Sequence, residues 1–406
     1  MAVETLKSIP YYDIRIPSEW GVYRLEEIVK KPIVYGIVQA GVEVSDGVPY
    51  IKSTDVGGDI NIDKLSRTSL EIAKKYKRSE VFPGDIVFSL RGNIGELSIV
   101  PYALSKANLT QGTARISVEN TKADSRFVSY ALKSSQVYKS IIKASKGSTF
   151  SEISLGELRR IQTALPSLSE QESIAKALSL MDEAINTNNH LIAQKELRKK
   201  WLMQNLLTGK KRLKGFCGEW REYSLGEMFS ERNERETEGL TLLSIGQNGV
   251  YPQNQSVKKD TSNADKSKYK KICVGDIGYN TMRMWQGRSA LSGLEGIVSP
   301  SYTIVRAKKG ADALYFSYFF KTPKMVNLFW RNSQGLVGDT LNCKFKDFSI
   351  VKAILPQKEE QVAIARLLQK VDEEMNILRS KTEKLSDQKK WMMQVLLTGK
   401  KRLKIN

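Results

Sequence analysis

An internal duplication constrains this chain more than any other feature of its sequence. The segment "MQNLLTGKKRLK" at 203–214 recurs as "MQVLLTGKKRLK" at 393–404, with one difference in twelve positions. Further aligned pairs are "LPSLSEQESIAKALSLMDE" (165–183) with "LPQKEEQVAIARLLQKVDE" (355–373), and "EWGVYRLEEI" (19–28) with "EWREYSLGEM" (219–228). The blocks that frame each copy are therefore kept, while the sequence between them has diverged.

Two long copies predict two domains and two connectors, because a solenoid is built from shorter and more numerous repeats. At 406 residues the chain can bury a separate core in each domain. We expect a first domain at 1–164, a first connector helix at 165–214, a second domain at 215–354 and a second connector helix at 355–406.

Each connector is predicted to form one long helix. Residues 170–207 contain no Pro or Gly, and apolar residues recur there and over 360–397 at the seam spacing of a heptad. Such helices would be roughly 57 Å long. This length favours a spacer coiled coil over an ordinary core helix, which typically has about 8 to 20 residues.

Cap residues predict the ends of these helices. Pro166 is expected to stop the preceding strand, and Ser169 with Glu172 to form a capping box. Gly209 and Gly399 stand where the two helices are expected to end.

The repeated segments are strongly basic. Their cations are Lys210, Lys211, Arg212 and Lys214 in the first copy, and Lys400, Lys401, Arg402 and Lys404 in the second. Cations at a helix C-terminus interact favourably with the helix dipole. Their density leaves three interpretations open: solvated cap residues, contacts to a phosphate backbone, or contacts to an acidic partner.

The domains are predicted to mix helices and strands. "GDIVFSL" and "ARISV" predict strands, and residues 125–145 and 312–333 each predict a helix. Polar residues cluster in the loops "LRGNIG" and "MRMWQGR" that follow the GD strands. Arg can contact a guanine edge in the major groove, and Asn or Gln an adenine edge. Ordinary surface loops have a similar composition, so single residues are weak evidence.

Net charge indicates the kind of partner. The formal charge is +20 with a pI near 9.6, which attracts nucleic acid or an acidic membrane surface. No apolar run approaches the roughly 18 residues needed to cross a bilayer, and no signal peptide is evident. We therefore expect a cytoplasmic protein. Cys217, Cys273 and Cys343 form no C-x-x-C pair and are expected to be reduced thiols.

Catalytic motifs are missing from the sequence. The single histidine, His190, falls inside the first predicted helix, so histidine-based catalytic triads and metal sites lack their usual residue. No phosphate-binding loop or G-x-G-x-x-G motif is present, and acidic residues form no recognisable nuclease cluster. A binding protein is favoured over an enzyme.

The doubled frame "YRLEEI … PGDI … LPSLSEQESIAKALSLMDEAI … LLTGKK" resembles the specificity subunit of type I restriction-modification systems over nearly the whole chain. The resemblance implies an α+β fold in which two mixed α/β target recognition domains are separated by two long antiparallel coiled-coil helices, with an internal pseudo-two-fold repeat. It implies that each domain reads one half of a bipartite DNA site, which is asymmetric because the loops differ.

The resemblance also implies partners. They are double-stranded DNA, two methyltransferase subunits per chain and a restriction or motor subunit. S-adenosylmethionine, Mg and ATP are expected on the partner subunits, and no cofactor, metal or catalytic residue on this chain.

Residue chemistry and loop position select candidate sites within that layout. The candidate DNA contacts are Arg91, Asn93, Gln111, Lys146, Arg283, Gln286, Arg288, Lys210, Lys211, Lys400 and Lys401. The candidate partner-docking residues are Ile174, Leu178, Met181, Ile185, Ile364, Leu368, Val371 and Met375. Pro300 stands where the first domain has Gln111, so a matched role at that position is not expected.

Two other classes of function remain as alternatives. A basic coiled-coil adaptor would bind nucleic acid or acidic proteins without sequence preference and with strong salt dependence. A cryptic nuclease or methyltransferase would show turnover by the purified chain alone.

Overall fold

A computed structural model describes residues 6–9, 14–147, 151–235, 239–246, 249–255, 265–335 and 341–403. The chain divides into two compact units, of which unit 1 contains 1–188 and 381–406, and unit 2 contains 189–380. Each unit therefore includes one domain together with parts of both long helices.

Unit 1 combines short strands with four short α-helices. Its described strands are β1 (Leu6–Ile9), β2 (Ile14–Pro17), β3 (Gly21–Arg24), β4 (Val29–Tyr35), β5 (Val48–Ile51), β6 (Arg67–Thr68), β7 (Ile86–Ser89), β8 (Leu97–Ile99), β9 (Asn108–Leu109), β10 (Thr113–Val118) and β11 (Gln162–Leu165). Its short helices are α1 (Leu70–Lys75), α2 (Ser125–Lys133), α3 (Ser135–Ala144) and α4 (Leu155–Arg160), followed by the long helix α5 (Leu168–Leu206).

Unit 2 has a similar order of elements. Its described strands are β12 (Arg221–Ser224), β13 (Phe229–Glu231), β14 (Leu243–Gly246), β15 (Gly249–Pro252), β16 (Lys270–Ile272), β17 (Ile277–Asn280), β18 (Ser289–Leu291), β19 (Gly296–Val298), β20 (Tyr302–Ala307) and β21 (Lys352–Leu355). Its short helices are α6 (Leu225–Met228), α7 (Ala313–Phe319), α8 (Pro323–Asn332) and α9 (Phe345–Ser349), followed by the long helix α10 (Lys358–Leu396).

The framing sheets match in the two units, and the smaller sheets do not. The four-stranded antiparallel sheet has the order β4-β10-β7-β8 in unit 1 and β13-β20-β17-β18 in unit 2. The pair β3–β11 corresponds to β12–β21. Unit 1 adds β6-β5-β9, in which β5 and β9 are parallel, whereas unit 2 adds the antiparallel pairs β14–β15 and β16–β19. The architecture therefore confirms the duplication predicted from the framing blocks.

Each unit buries its own core beneath the four-stranded sheet. In unit 1, α2 packs against β8 and β11 and contributes the buried Phe127, and the core extends to Leu178 on α5 and Leu396 on α10. In unit 2 the core is aromatic, with Phe229 and Phe316 meeting edge to face at 4.8 Å. Hydrophobic burial thus fixes both long helices to each unit.

The helix predicted over each of 125–145 and 312–333 is broken in two. Ser134 ends α2 and caps α3, because its side chain accepts a hydrogen bond from the Val137 N–H. Thr322 caps α8 in the same way, and Pro323 stands at its first turn. Side-chain caps and an N1 proline start new helices even where the apolar spacing continues.

The two long helices confirm the connector prediction, with 39 residues each. Both start two residues before the stretches 170–207 and 360–397 in which helical spacing was recognised, and α5 begins directly after the Pro166–Ser167 step. The Ser167 carbonyl accepts hydrogen bonds of 3.0 Å from the N–H groups of Glu170 and Gln171. Ser169 therefore lies inside the first turn, and the predicted capping box with Glu172 is wrong.

No helix in the described ranges is long and apolar enough to cross a membrane.

Charged pairs show that the helices run antiparallel. In unit 2, Glu196 pairs with Arg379 at 2.7 Å and Lys199 with Asp372 at 2.6 Å. Residue numbers therefore increase along α5 while those of the paired residues decrease along α10. In each unit one aspartate also accepts a hydrogen bond from a domain tyrosine. The Tyr130 hydroxyl donates to Asp182, and that of Tyr318 to Asp372, both at 2.7 Å. Burial raises the pKa of both tyrosines, so they stay protonated donors.

We predict that Gly399→Ala destabilises the protein more than Gly209→Ala. Both glycines have a positive φ, +68° and +71°, which costs an alanine about 1–2 kcal/mol. A Cβ at Gly399 would also lie 2.4 Å from Pro17 Cδ, whereas one at Gly209 would approach Trp220 no closer than 3.4 Å. Urea unfolding of the two full-length variants measures the difference, and equal losses would contradict the predicted clash.

Candidate nucleic-acid interface

The turn between β7 and β8 brings three predicted DNA contacts of unit 1 together. Arg91 and Asn93 are exposed in this turn. Lys146 joins them because the backbone of Glu152 forms isolated bridges with both Arg91 and Lys146. We call Arg91, Asn93 and Lys146 surface 1.

Gln111 lies beside surface 1. The Gly112 carbonyl accepts a 2.8 Å hydrogen bond from the Leu90 N–H, which ties the Gln111 loop to the residue before Arg91. The Gln111 N–H donates to the Ile37 carbonyl at 2.8 Å, and the residue is half-buried. The four predicted residues of this domain thus converge near the end of β7.

Arg91 is paired with an acid that the sequence did not indicate. Its guanidinium lies 2.8 Å from Glu152, and the two side chains are 45% and 43% exposed. Glu152 lies in a diverged segment far from Arg91 in the sequence, so only the tertiary fold reveals the pair.

The turn between β17 and β18 carries the predicted DNA contacts of unit 2. A single 3-10 turn, Met284–Gln286, ends at Gly287, whose φ is +71°. The Gln286 N–H donates to the Arg283 carbonyl at 3.0 Å, and Arg288 directly precedes β18. We call the exposed residues Arg283, Gln286 and Arg288 surface 2. Neither arginine has an ion-pair partner among the described residues.

The same backbone hydrogen bonds frame both surfaces. The Ile153 N–H donates to the Leu90 carbonyl at 3.1 Å in unit 1, and the Cys343 N–H to the Thr281 carbonyl at 2.8 Å in unit 2. The two turns are therefore equivalent positions of one repeated scaffold.

This equivalence extends to the loop that holds Gln111. The Ser301 carbonyl accepts a 3.1 Å hydrogen bond from the Thr281 N–H, as the Gly112 carbonyl does in unit 1. Pro300 therefore occupies the position of Gln111, as the sequence alignment indicated, and unit 2 has no amide side chain there.

One arginine of each repeated basic segment forms an ion pair with a buried glutamate of the other long helix. Arg402 Nε and Nη2 donate to the two oxygens of Glu170 at 2.5 and 2.6 Å, and Arg402 also pairs with Glu19. Its guanidinium lies 5.9 Å from the Trp20 ring centroid, and the Glu170 side chain is 1% exposed. We call Arg402, Glu170 and Trp20 clasp 1.

Clasp 2 repeats this arrangement in unit 2. Arg212 Nε and Nη2 donate to Glu360 at 2.5 and 2.6 Å, and the Trp220 Nε1–H donates to the same carboxylate at 3.2 Å. The hydrogen bonds to the carboxylates raise the pKa of Arg212 and of Arg402. Because the basic segment is repeated, the glutamate in the first turn of each long helix binds the arginine that follows the other long helix.

The residue after each clasp glutamate is also structural. Gln171 accepts a 3.0 Å hydrogen bond from the Asp124 N–H, and Gln361 accepts one of 3.0 Å from the Asp312 N–H. These aspartates cap α2 and α7. The repeated "EQ" therefore joins each long helix to its domain, a role that sequence reasoning missed although the pair is identical in the two aligned copies.

The four predicted tag lysines are Lys210, Lys211, Lys400 and Lys401, and all are exposed. Lys211 Nζ lies 4.9 Å above the Trp201 ring, and Lys401 Nζ lies 4.7 Å above the Trp391 ring. Lys404 falls outside the described residues. The clasps thus show that the basic segments are partly structural, and they leave the lysines as candidates for phosphate contact.

Most predicted docking residues are buried in their own unit. Ile174 and Leu178 belong to the core of unit 1, and Ile364, Leu368, Val371 and Met375 to the core of unit 2. Met181 and Ile185 are half-buried. The apolar seam spacing of these six buried residues reflects packing against the domains, whereas docking through the partly accessible Met181 and Ile185 stays a prediction.

The described ranges contain no group of three His, Cys, Asp or Glu residues able to hold a metal ion. His190 is exposed and lies 2.9 Å from Gln194 Nε2. The three cysteines are unpaired, and burial raises the pKa of Cys343 to about 12.

The model of the type I restriction modification DNA specificity domain matches residues 17–196 and again 218–386. The chain belongs to this family. Specificity subunits recognise DNA and have no catalysis of their own, which confirms the prediction of a non-catalytic subunit. The adaptor alternative finds no support in these comparisons.

Named relatives agree with this assignment. The chain is 28% identical to a putative type I restriction enzyme specificity subunit, MjaX, of Methanocaldococcus jannaschii, over 96% of this chain and 95% of the relative. It is 32% identical to the EcoBI specificity subunit of Escherichia coli over 41% of this chain and 35% of that protein. The crystal structure of an S subunit from M. genitalium shares the fold, with a TM-score of 0.63, 14% identity, and coverage of 99% and 100%.

We predict that Glu170→Gln and Glu360→Gln each lower the free energy of unfolding by about 2 kcal/mol, because a buried charge-assisted pair is broken. Urea unfolding followed by tryptophan fluorescence measures this loss. The control is Glu157→Gln, since Glu157 forms only an exposed pair with Arg160. Equal stability of all three variants would show that neither clasp stabilises its own unit.

Proposed function

We propose that the chain reads a bipartite site in double-stranded DNA, with surface 1 contacting one half-site and surface 2 the other. One observation carries the proposal: two turns framed by the same hydrogen bonds present different side chains. Arginine suits a guanine edge, and asparagine or glutamine an adenine edge. Because the side chains of the two turns differ, the two half-sites differ in sequence and the target is asymmetric.

Phosphate contacts position such a reader without specifying sequence. The net charge of +20 supports this part of the proposal. The exposed lysines of the repeated segments, chiefly Lys210 and Lys400, are the proposed phosphate contacts. Each clasp binds only the arginine of its segment, so these lysines stay exposed. Lys211 and Lys401 contribute from above their tryptophan rings.

The long helices are the proposed docking site for two methyltransferase subunits per chain, and a restriction or motor subunit joins that complex. Large apolar side chains on the solvent side of the helices support this assignment, namely Leu180, Leu191, Leu197, Trp201, Ile377 and Trp391. S-adenosylmethionine, Mg and ATP belong to the partner subunits in this proposal, and the complex acts in the cytoplasm.

Modified-base sequencing of the source organism's DNA, with and without this gene, tests the function. We expect one asymmetric bipartite adenine-methylation motif to disappear with the gene, because the methyltransferase cannot find its target alone. An unchanged methylome in cells that express the partner subunits would reject the proposal. Exchange of the segment 215–354 for that of a relative should then change only one half of the motif.

Base contacts and phosphate contacts differ in how substitutions affect binding. Arg283→Ala should weaken binding to the cognate duplex by about 1–3 kcal/mol and relax one position of one half-site. Lys210→Ala should weaken binding to all duplexes alike and reduce the salt slope by about 1. Titrations of the assembled complex at several salt concentrations distinguish base contacts from phosphate contacts. If Arg283→Ala weakened binding to all duplexes equally, Arg283 would not be a base contact.

A further inference from the structure

One backbone position faces the reading turn in each unit. The bridge between Lys146 and Glu152 corresponds to the bridge between Gln334 and Asn342. Each is closed by two hydrogen bonds, of 2.8 and 2.9 Å. Glu152 and Asn342 also directly precede the residue whose N–H bonds to the turn. They are therefore equivalent in the scaffold.

The side chains at this position differ in charge, and so do their neighbours in the turn. Glu152 pairs with Arg91, the residue after Leu90. The residue after Thr281 is Met282, which is exposed and lines the same open cavity of about 450 Å³ as Asn342. Asn342 Oδ1 is buried and has no hydrogen-bond partner in the described part of unit 2, so its hydrogen-bonding capacity is unused there.

These two pairs have the chemistry of different base pairs. In the major groove a guanidinium donates to guanine O6 and N7, and a carboxylate accepts from cytosine N4. An amide side chain complements adenine N6 and N7, and an apolar side chain contacts the thymine methyl group. An arginine beside a glutamate therefore complements a G·C pair, and a methionine beside an asparagine an A·T pair.

We propose that Arg91 with Glu152, and Met282 with Asn342, each form a specificity-determining pair, one for each half-site. The first pair selects G·C and the second selects A·T at the corresponding position. This inference rests on the proposed function, because it takes surfaces 1 and 2 as the DNA readers. It adds Glu152, Met282 and Asn342 to the residues that choose the bases.

The first pair can be replaced with little effect on the fold. Exposed ion pairs contribute little to stability, so loss of the Arg91–Glu152 pair leaves the unit folded. The test exchanges the pairs in the full chain: Arg91→Met with Glu152→Asn in one variant, and Met282→Arg with Asn342→Glu in another. Glu152→Gln removes the charge alone and keeps the side-chain size.

Each chain is assembled with its methyltransferase subunits and used to select duplexes from a library with randomised half-sites. In the first variant we expect discrimination at one G·C pair of one half-site to fall by about 5- to 150-fold, with the other half-site unchanged. Glu152→Gln should relax the same position. The second variant should lose its A·T preference at one position of the opposite half-site.

A matched control removes another exposed pair of unit 1, through Glu157→Asn with Arg160→Met, and should select the wild-type sequence. Selection of the wild-type half-sites by all variants would overturn this inference while leaving the proposed function intact. Failure of the wild-type complex to select any bipartite sequence would instead reject the proposed function.

Discussion

The structure depends on a buried carboxylate at the start of each long helix. Glu170 and Glu360 are almost fully enclosed, and a buried charge is costly unless it is paired and hydrogen-bonded. The partner is the arginine that follows the other helix, Arg402 or Arg212. Each unit is thus completed only when segments from both halves of the chain meet, which gives the repeated basic segment a physical reason.

The repeated sequence has a constant part, to which the clasps belong, and a variable part. The glutamate, the following glutamine and the framing sheets occur in both units, because they carry the hydrogen bonds and cores that position each domain. The turns that carry surfaces 1 and 2 need only their backbone hydrogen bonds to be retained. Their side chains can differ without loss of the fold, so one scaffold presents two different surfaces.

Apolar spacing on the long helices serves the domains first. Ile174 and Leu368 face the cores of their units, and Leu202 and Leu396 do so near the opposite ends of the helices. Charged side chains add pairs between the two helices, such as Lys199 with Asp372 in unit 2 and Lys389 with Asp182 in unit 1. A heptad pattern alone does not distinguish packing against a domain from packing against another helix, which explains why the predicted docking residues were buried.

The amino-acid sequence by itself determined the duplication, the long helices, the class of protein and the position of the polar turns that follow β7 and β17. These follow from local periodicity, turn residues and the repeated blocks, all of which are visible along one dimension. Only the tertiary structure decided that Arg212 and Arg402 are clasp residues and that Arg91 pairs with Glu152. Such contacts join residues far apart in sequence, and their energy depends on burial and geometry, which no spacing of residue types specifies.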